Sequence, residues 1–445
     1  MFRRILIANR GEVVSRVLRT TRRLGIEAVV VVSEADRDAP YVEEADEVVC
    51  LGPPPSSQSY LDRSSVVQAA KQTRCAAVHP GWGFLAEDPL FADLCRQHGL
   101  SLVGPSARLM RLMGKKLSAK QAARAAGLDV IPGSDGLLHT LEEARAAAEA
   151  TGYPLLLKAD SGGGGRGMRR CDGPEDLERA FGLARSESLA AFGDGALYME
   201  RFIEGGRHIE VQVFGDAYGN ALHLGERECS IQRKHQKLIE ESPSPALDEA
   251  ARTEAGLRAA RAAARLGYVG AGTIEFLLDE EGALRFMEMN TRLQVEHPIT
   301  EERCGIDLVE WQLRVAAGEP LPLDQSQVRL SGHAIEARIN AEDPSADFRP
   351  CPGTIERLEV PAGLRFDTHV RAGYTVPPHY DSLLGKLIAY ADDRPTCIAA
   401  LRAGLEALRI DGVATTRSAL LAVLDSEAFR SGRYDTRGLP GIEGC

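Results

Sequence analysis

Between Gly272 and Asn290 the chain is committed to an antiparallel hairpin whose arms carry chemistry. Gly272-Thr273-Ile274-Glu275-Phe276-Leu277-Leu278 is rich in β-branched and apolar residues, as a buried strand is, yet it holds one carboxylate in its middle. Asp279-Glu280-Glu281-Gly282 reads as the turn, and Ala283 to Asn290 as the returning strand. Adjacent antiparallel strands bring Glu275 and Glu288 together. Side chains alternate along a strand, so Glu288 and Asn290 point the same way, with Arg292 next in that parity if the extension continues. A carboxylate buried alone is costly unless it is paired or bound to metal. Two of them beside an amide oxygen suit a hard ion such as Mg2+, which is usually shared with substrate phosphates. A nucleotide is the expected companion.

A lysine and a glycine tract supply the phosphate side. Leu155-Leu156-Leu157-Lys158-Ala159 is a short apolar strand holding a cation, and Asp160-Ser161-Gly162-Gly163-Gly164-Gly165-Arg166-Gly167-Met168 follows it. Consecutive glycines let a backbone approach an anion closely, with N–H groups free to ring phosphate oxygens. The tract lies between strand-like segments, Leu155 to Lys158 and Met168 to Arg170, and opens no helix. No Gly-x-x-x-x-Gly-Lys-Ser/Thr pattern occurs in the chain, so the nucleotide site is not a P-loop.

Residues 1 to about 113 alternate strand and helix: Arg4 to Ala8, then Val13, Val14, Val17, Leu18, Thr21 and Leu24 at helical spacing, then Ala28 to Val32. Further apolar strands at Glu47 to Leu51, Ala76 to His79 and Leu100 to Gly104 predict an open parallel sheet. Asn9-Arg10-Gly11-Glu12 has one glycine where a dinucleotide fingerprint needs three, so this region reads as a scaffold. Ligands of such sheets sit beyond the carboxyl ends of the strands, where His79 to Phe84 falls. An alanine-rich helix at 115–126 leads to a small unit at 131–203 that carries the glycine tract, a candidate lid. From 204 to about 390 antiparallel strands are expected, followed by helices at about 395–408 and 416–424.

Composition removes several classes. A chain of 445 residues divides into two or three domains. A formal charge of −11 opposes a nucleic-acid partner, because binding phosphate in bulk needs an excess of Lys and Arg. The apolar run Ile5 to Ala8 is too short for a signal-peptide core, and nothing approaches the roughly 18 apolar residues of a membrane span, so a cytoplasmic protein is expected. Nine cysteines, with no pair closer than Cys75 and Cys95, form neither a Cys-x-x-Cys metal site nor a dense disulfide framework and read as reduced thiols.

Lys116, Lys158 with its glycine tract, Tyr198-Met199-Glu200-Arg201-Phe202-Ile203, His208-Ile209-Glu210, Glu275 and Glu288-Met289-Asn290 together resemble the ATP-grasp enzymes. Ile7-Ala8-Asn9-Arg10-Gly11-Glu12, His79-Pro80-Gly81-Trp82-Gly83-Phe84 and Asn290-Thr291-Arg292-Leu293-Gln294-Val295-Glu296-His297-Pro298 narrow the likeness to the biotin carboxylases. Arg338 to Pro344 and Ala372 to Pro378 extend it, so that it runs from about residue 2 to about 425. The resemblance implies a multidomain α/β and α+β fold: a Rossmann-like N-terminal domain at 1–113, an ATP-grasp domain at 115–330 with a mobile lid at 131–203, and a mixed antiparallel C-terminal domain at 331–445.

By the same resemblance, Lys116 and Lys158 hold ATP phosphates, Gly164 and Gly165 close over them, and Glu200, Arg201, Phe202 and Ile203 meet the adenine, partly through backbone. Met168, Leu277, His208, Gln232 and His235 complete the nucleotide pocket, and Glu275, Glu288 and Asn290 hold Mg2+ or Mn2+. Lys237, Arg292, Gln294 and the Val295 N–H bind bicarbonate, Glu296 is the general base, and Arg338 stabilises the biotin enolate. Family members often have lysine at Arg201 and tyrosine at Trp82; charge and stacking survive both changes, while a hydroxyl contact beside biotin is lost.

The implied activity is ATP-dependent carboxylation of biotin, the first half-reaction of acetyl-CoA carboxylase, which feeds fatty-acid synthesis. None of the seven methionines flanks a lysine, as they do in biotin carriers, and no carrier or transferase domain is expected before Cys445. Separate carrier and carboxyltransferase proteins are therefore expected partners, with a homodimer through the regions of Arg16, Arg19 and Phe366. A pyruvate or other acyl-CoA carboxylase, a different ATP-grasp ligase and a non-catalytic nucleotide-binding scaffold stand as the alternatives.

Overall fold

A computed structural model describes residues 1–160 and 168–442; the expected phosphate contacts of Gly164 and Gly165 lie outside the described residues. The first sheet is parallel throughout, in the order Glu47–Gly52, Glu27–Ser33, Arg4–Ile7, Ala77–His79, Ser101–Leu102, as the alternation of strand and helix predicts. Ile5 to Ile7 and Val29 to Val31 are fully buried, because elements cover both faces of these strands, which is why they read as unbroken apolar runs.

The second sheet has eight antiparallel strands, in the order Leu284–Asn290, Gly270–Leu278, Arg207–Gly215, Ala221–Arg233, Gln236–Ser242, His333–Asn340, Leu383–Ala391, Arg365–Thr368. The hairpin expected at its edge is present with Glu275 opposite Glu288 and Thr273 opposite Asn290. Gly282 closes the turn at φ +79°, donating its N–H to the Asp279 carbonyl at 3.0 Å. Because His333–Asn340 pairs with Gln236–Ser242, one continuous sheet carries Lys237 and Arg338 on neighbouring strands.

Strands alone do not fill residues 204 to 390. An 18-residue helix, Glu249–Leu266, and shorter ones at His297–Cys304 and Leu308–Ala316 interrupt them. Ala255, Ala259, Ala262 and Ala263 are its buried stripe, and small side chains let the helix lie close on the sheet. A Cβ on Gly256 would meet the His223 ring at 2.3 Å. Asp248 caps this helix by accepting the Ala251 N–H at 2.8 Å.

Leu155–Ala159 forms a separate three-stranded antiparallel sheet with Arg169–Cys171 and Leu197–Arg201, backed by the helices Leu141–Thr151 and Pro174–Phe192. Leu155, Leu157, Leu177, Phe181, Leu197 and Met199 give this small layer its own core. The late helices are Arg394–Ala407 and Arg417–Asp425. No helix among the described residues is long and apolar enough to cross a membrane, and the eight described cysteines are unpaired.

Candidate active site

Ends of the large sheet, the small sheet and the loop after Ala77–His79 enclose a cavity of about 870 Å3. Lys116, Lys158, Met168, Arg201, Phe202, Ile203, His208, Gln232, His235, Lys237 and Leu277 line it. So do Glu275, Glu288, Asn290, Arg292, Gln294, Val295, Glu296, Arg338 and Trp82. Of the site residues named from the sequence and described by the structure, Glu200 is not in this lining; it lies opposite Leu156 on the small sheet, with its carboxylate taken up by Lys158 and Lys120.

At one end the geometry favours phosphate. Asp160 takes the first N–H groups of the helix Lys116–Ala125, from Lys116 to its carbonyl at 3.3 Å and from Leu117 to its Oδ1 at 2.9 Å. That fastens the helix start to the end of Leu155–Ala159 and aims Lys116 and Lys158 at the same space. Lys116 pairs with Glu288, and Lys158 with Glu200, whose second oxygen lies 3.1 Å from Lys120 Nζ. Burial opposes charge on Lys116, but Glu288 outweighs it and raises the ammonium pKa. Burial likewise opposes charge on Glu200, and Lys158 and Lys120 overcome it, holding the carboxyl below its ordinary range. Lys234 and His235, at φ +47° and +67°, make the two-residue turn between Ala221–Arg233 and Gln236–Ser242. Keeping non-glycine residues there costs about 1 kcal/mol or more each and sets His235 against the cavity.

Toward the other end lies a cage of alternating charge. Lys237 Nζ is 2.6 Å from Glu296 Oε1, 2.6 Å from Glu210 Oε2 and 3.2 Å from Glu275 Oε1. Arg338 donates from Nε to Glu240 Oε1 at 2.6 Å and from Nη2 to Glu296 Oε2 at 2.9 Å. Arg292 reaches Glu87 Oε2 at 2.9 Å, Gln294 Oε1 at 2.7 Å and Asn290 Oδ1 at 3.0 Å. Burial pushes the Glu296 carboxyl upward, but Lys237, Arg338 and Arg227 more than offset it, so the group sits well below the ordinary range. Burial acts on Glu275 in the same way and is overcome by Lys237 and His208. Glu240 differs: burial, helped by the Glu296 charge and opposed by Arg338, lifts it to about 7.

A divalent ion fits the hairpin. Glu275 and Glu288 face each other across it, Asn290 follows on the same strand, and the three border a cavity that also holds two lysines. Their oxygens are shared with Lys116, Lys237, His208 and Arg292, groups that mark the place of positive charge. Two carboxylates and an amide oxygen make a hard donor set of the kind Mg2+ takes. His208, Glu210 and Glu275 also place donor atoms within 4.8 Å of one another, but the Lys237 ammonium already occupies that cluster.

The loop after Ala77–His79 borders the cavity through Trp82 and Gly83. Asn9 Nδ2 binds the carbonyls of Pro80 and Trp82, both at 2.7 Å, and Glu12 Oε1 accepts the Trp82 indole N–H at 3.1 Å. Gly81, at φ +63°, leaves room for this, since a Cβ there would lie 2.8 Å from Asn9 Nδ2. These contacts explain why two short blocks some seventy positions apart belong together.

Three family models match in order: "Biotin carboxylase, N-terminal domain" over residues 1–110, "Carbamoyl-phosphate synthase L chain, ATP binding domain" over 115–324, and "Biotin carboxylase C-terminal domain" over 336–440. The chain belongs to the biotin carboxylase family. A biotin carboxylase of Nostoc sp. is 49% identical over 98% of this chain and 98% of its own length. Among solved structures, a biotin carboxylase–β-γ-ATP complex from Campylobacter jejuni superposes with a TM-score of 0.96 at 48% identity, covering 99% and 98% of the two chains. The biotin carboxylase domain dimer of Hydrogenobacter thermophilus 2-oxoglutarate carboxylase, solved with MgADP, ADP and bicarbonate, gives 0.94 at 46%, covering 99% and 97%.

Within this biotin carboxylase site several partners carry no motif of their own. Glu87 holds Arg292, Glu240 holds Arg338, Lys120 holds Glu200, and Arg227 reaches Glu210, Gln212, Thr273 and Thr300 from a fully buried position. Lys120 was detectable as the residue four after Lys116 on one helix. Arg227 and Glu240 lie in strands dense in charged and polar residues, Ala221–Arg233 and Gln236–Ser242, so nothing in the sequence singles them out.

Proposed function

We propose that this chain carboxylates biotin borne on a carrier protein, consuming ATP and bicarbonate and releasing ADP and phosphate. The observation that carries the reading is the shared cavity: phosphate-type lysines at one end and, toward the other, Glu296 and Arg338 hydrogen-bonded to each other. A division of the chain into 1–113, 115–330 with a lid at 131–203, and 331–445 would put the reaction between the units.

Lys116 and Lys158 would hold the phosphates, Arg201 to Ile203 the adenine, and Met168, His208, Gln232, His235 and Leu277 the rest of the nucleotide. Glu200 would steady Lys158 through its side chain. An ion held by Glu275, Glu288 and Asn290 would neutralise phosphate oxygens when bound. Bicarbonate would lie against Lys237, Arg292, Gln294 and the Val295 N–H. As a bicarbonate oxygen bonds to the terminal phosphorus and the bond to ADP breaks, the bicarbonate proton passes to Glu296. Lys237 and Arg338 keep Glu296 a weak base at rest. An anion that draws Lys237 aside leaves the burial of Glu296 less compensated, which raises its proton affinity. Carboxyphosphate then divides into CO2 and phosphate. Phosphate takes the ureido proton of biotin, Arg338 balances the enolate charge, and the ureido nitrogen attacks CO2. Trp82 would stack beside the biotin ring.

The carrier and a carboxyltransferase would be separate proteins in the cytoplasm, the chain would act as a homodimer, and the assembly would be acetyl-CoA carboxylase serving fatty-acid synthesis. The likeness to a 2-oxoglutarate carboxylase domain at 46% identity favours a second reading, in which the carboxylase serves pyruvate or another acceptor that never enters this cavity. Mass spectrometry of the transferase that copurifies with the tagged chain decides between them. For the reaction itself, ADP formation that requires bicarbonate and rises with biotinylated carrier is the expected result. Turnover indifferent to biotin would point to another ATP-grasp ligase.

A further inference from the structure

A lysine without exposed surface stands where a cation is least welcome. Lys386, in the strand Leu383–Ala391, is fully buried, and its Nζ donates to the Val295 carbonyl at 2.7 Å. That carbonyl belongs to the peptide joining Val295 to Glu296, the cap of the helix His297–Cys304. A helix start is the positive end of its dipole, so packing alone would favour an apolar side chain here. The ammonium is balanced by Glu12 Oε2 at 3.2 Å, and Glu12 Oε1 accepts the Trp82 indole N–H at 3.1 Å. Glu12 is itself buried, in the first turn of the helix Glu12–Leu24. The register neighbours of Lys386 are already engaged, Asp367 by Arg365 and Arg19, and Arg338 by Glu240 and Glu296. The series Trp82, Glu12, Lys386, Val295 therefore crosses from the first sheet to the backbone of the charge cage.

We infer that Glu12 and Lys386 are positioning residues of the bicarbonate site: they fix the Val295–Glu296 peptide so that the Val295 N–H and the Glu296 carboxylate stay aimed at the anion, with the Trp82 indole anchoring Glu12. The inference rests on the bicarbonate reading of this cluster. A tyrosine or phenylalanine at position 82 has no ring N–H, so the anchor belongs to this chain's own tryptophan.

Bicarbonate-dependent ATP hydrolysis without biotin tests it, because biotin stacking on Trp82 then plays no part. Lys386→Met should raise the KM for bicarbonate about tenfold, the scale of one charge-assisted hydrogen bond, and leave the KM for ATP within about twofold. Trp82→Phe should raise the bicarbonate KM about two- to threefold, and the double variant should be no worse than Lys386→Met, since one series is cut twice. If Lys386→Met does not fold, Trp82→Phe and Glu12→Gln carry the same comparison. An unchanged bicarbonate KM, or one that rises in step with the KM for ATP, would overturn the inference. Wild-type hydrolysis that ignores bicarbonate would overturn the reading of the site, and the inference with it.

Discussion

Replacing Arg338 by alanine should separate the two halves of the reaction. The guanidinium makes charge-assisted bonds to Glu240 at 2.6 Å and Glu296 at 2.9 Å, and neither acid is exposed to water. Removing one donor aimed at a developing oxyanion costs about 3–4 kcal/mol, so carboxybiotin formation should fall about a hundredfold to a thousandfold. In the proposed reading the phosphoryl step would use Lys116, Lys158, Lys237 and Arg292, all untouched. Glu296 keeps Lys237 at 2.6 Å and loses one of the cations that depress its carboxyl, which makes it a better base. Bicarbonate-dependent ADP release should therefore stay within about tenfold of wild type. Breaking a buried pair from one side costs about 3–5 kcal/mol of stability, so circular dichroism must first show the variant folded at the assay temperature. ADP release by coupled assay and transfer of labelled bicarbonate to biotin are then measured on one preparation. A parallel fall in both would refute the argument and place Arg338 in the ATP step.

Glu288→Gln should sharply reduce ATP turnover at saturating Mg2+, because a charged ligand becomes neutral; wild-type turnover would remove Glu288 from the metal set. Lys120→Met frees Glu200 from one of its two cations and should raise the KM for ATP about tenfold with bicarbonate KM unchanged, as read by initial rates. Glu241, held by His333 and Arg394 against a burial that pushes its carboxyl up, sits at about 2. Its folded pKa is depressed, so the unfolded chain binds more protons between about pH 4.5 and 2, and the stabilisation, about 3 kcal/mol, is present above that window and lost on acidification through it. The wild-type advantage over Glu241→Gln in urea unfolding should shrink by that amount from pH 5 to pH 2; a constant advantage would contradict the pairing.

What the sequence disclosed follows from period and punctuation. The hairpin was legible because two strands, each carrying a carboxylate, flank a four-residue turn; the register shift between Glu275 and Phe276 that sets Glu275 opposite Glu288 left no mark in the sequence. The parallel sheet was legible because strands buried on both faces lose their alternation. The helix Glu249–Leu266 was not, because alanine supplies a buried stripe without apolar contrast. Lys386 was hidden for a related reason: a lysine in an apolar strand reads as its exposed face, and only the approach of Glu12 and Val295 from distant segments shows it buried. Glu200 lay in a recognisable block, yet its pairing with Lys158 and with Lys120 depends on two separate segments meeting at its carboxylate, which the sequence does not show.

The central claim is that bicarbonate attacks the terminal phosphate and gives up one oxygen to it before its carbon reaches biotin. Bicarbonate labelled with oxygen-18 in all three positions, supplied with MgATP and biotinylated carrier, tests that sequence when released phosphate and carboxybiotin are analysed by mass spectrometry. The account predicts one labelled oxygen in each phosphate and two in each carboxyl group. Phosphate free of label would mean that water, not bicarbonate, cleaves ATP, and would contradict the account.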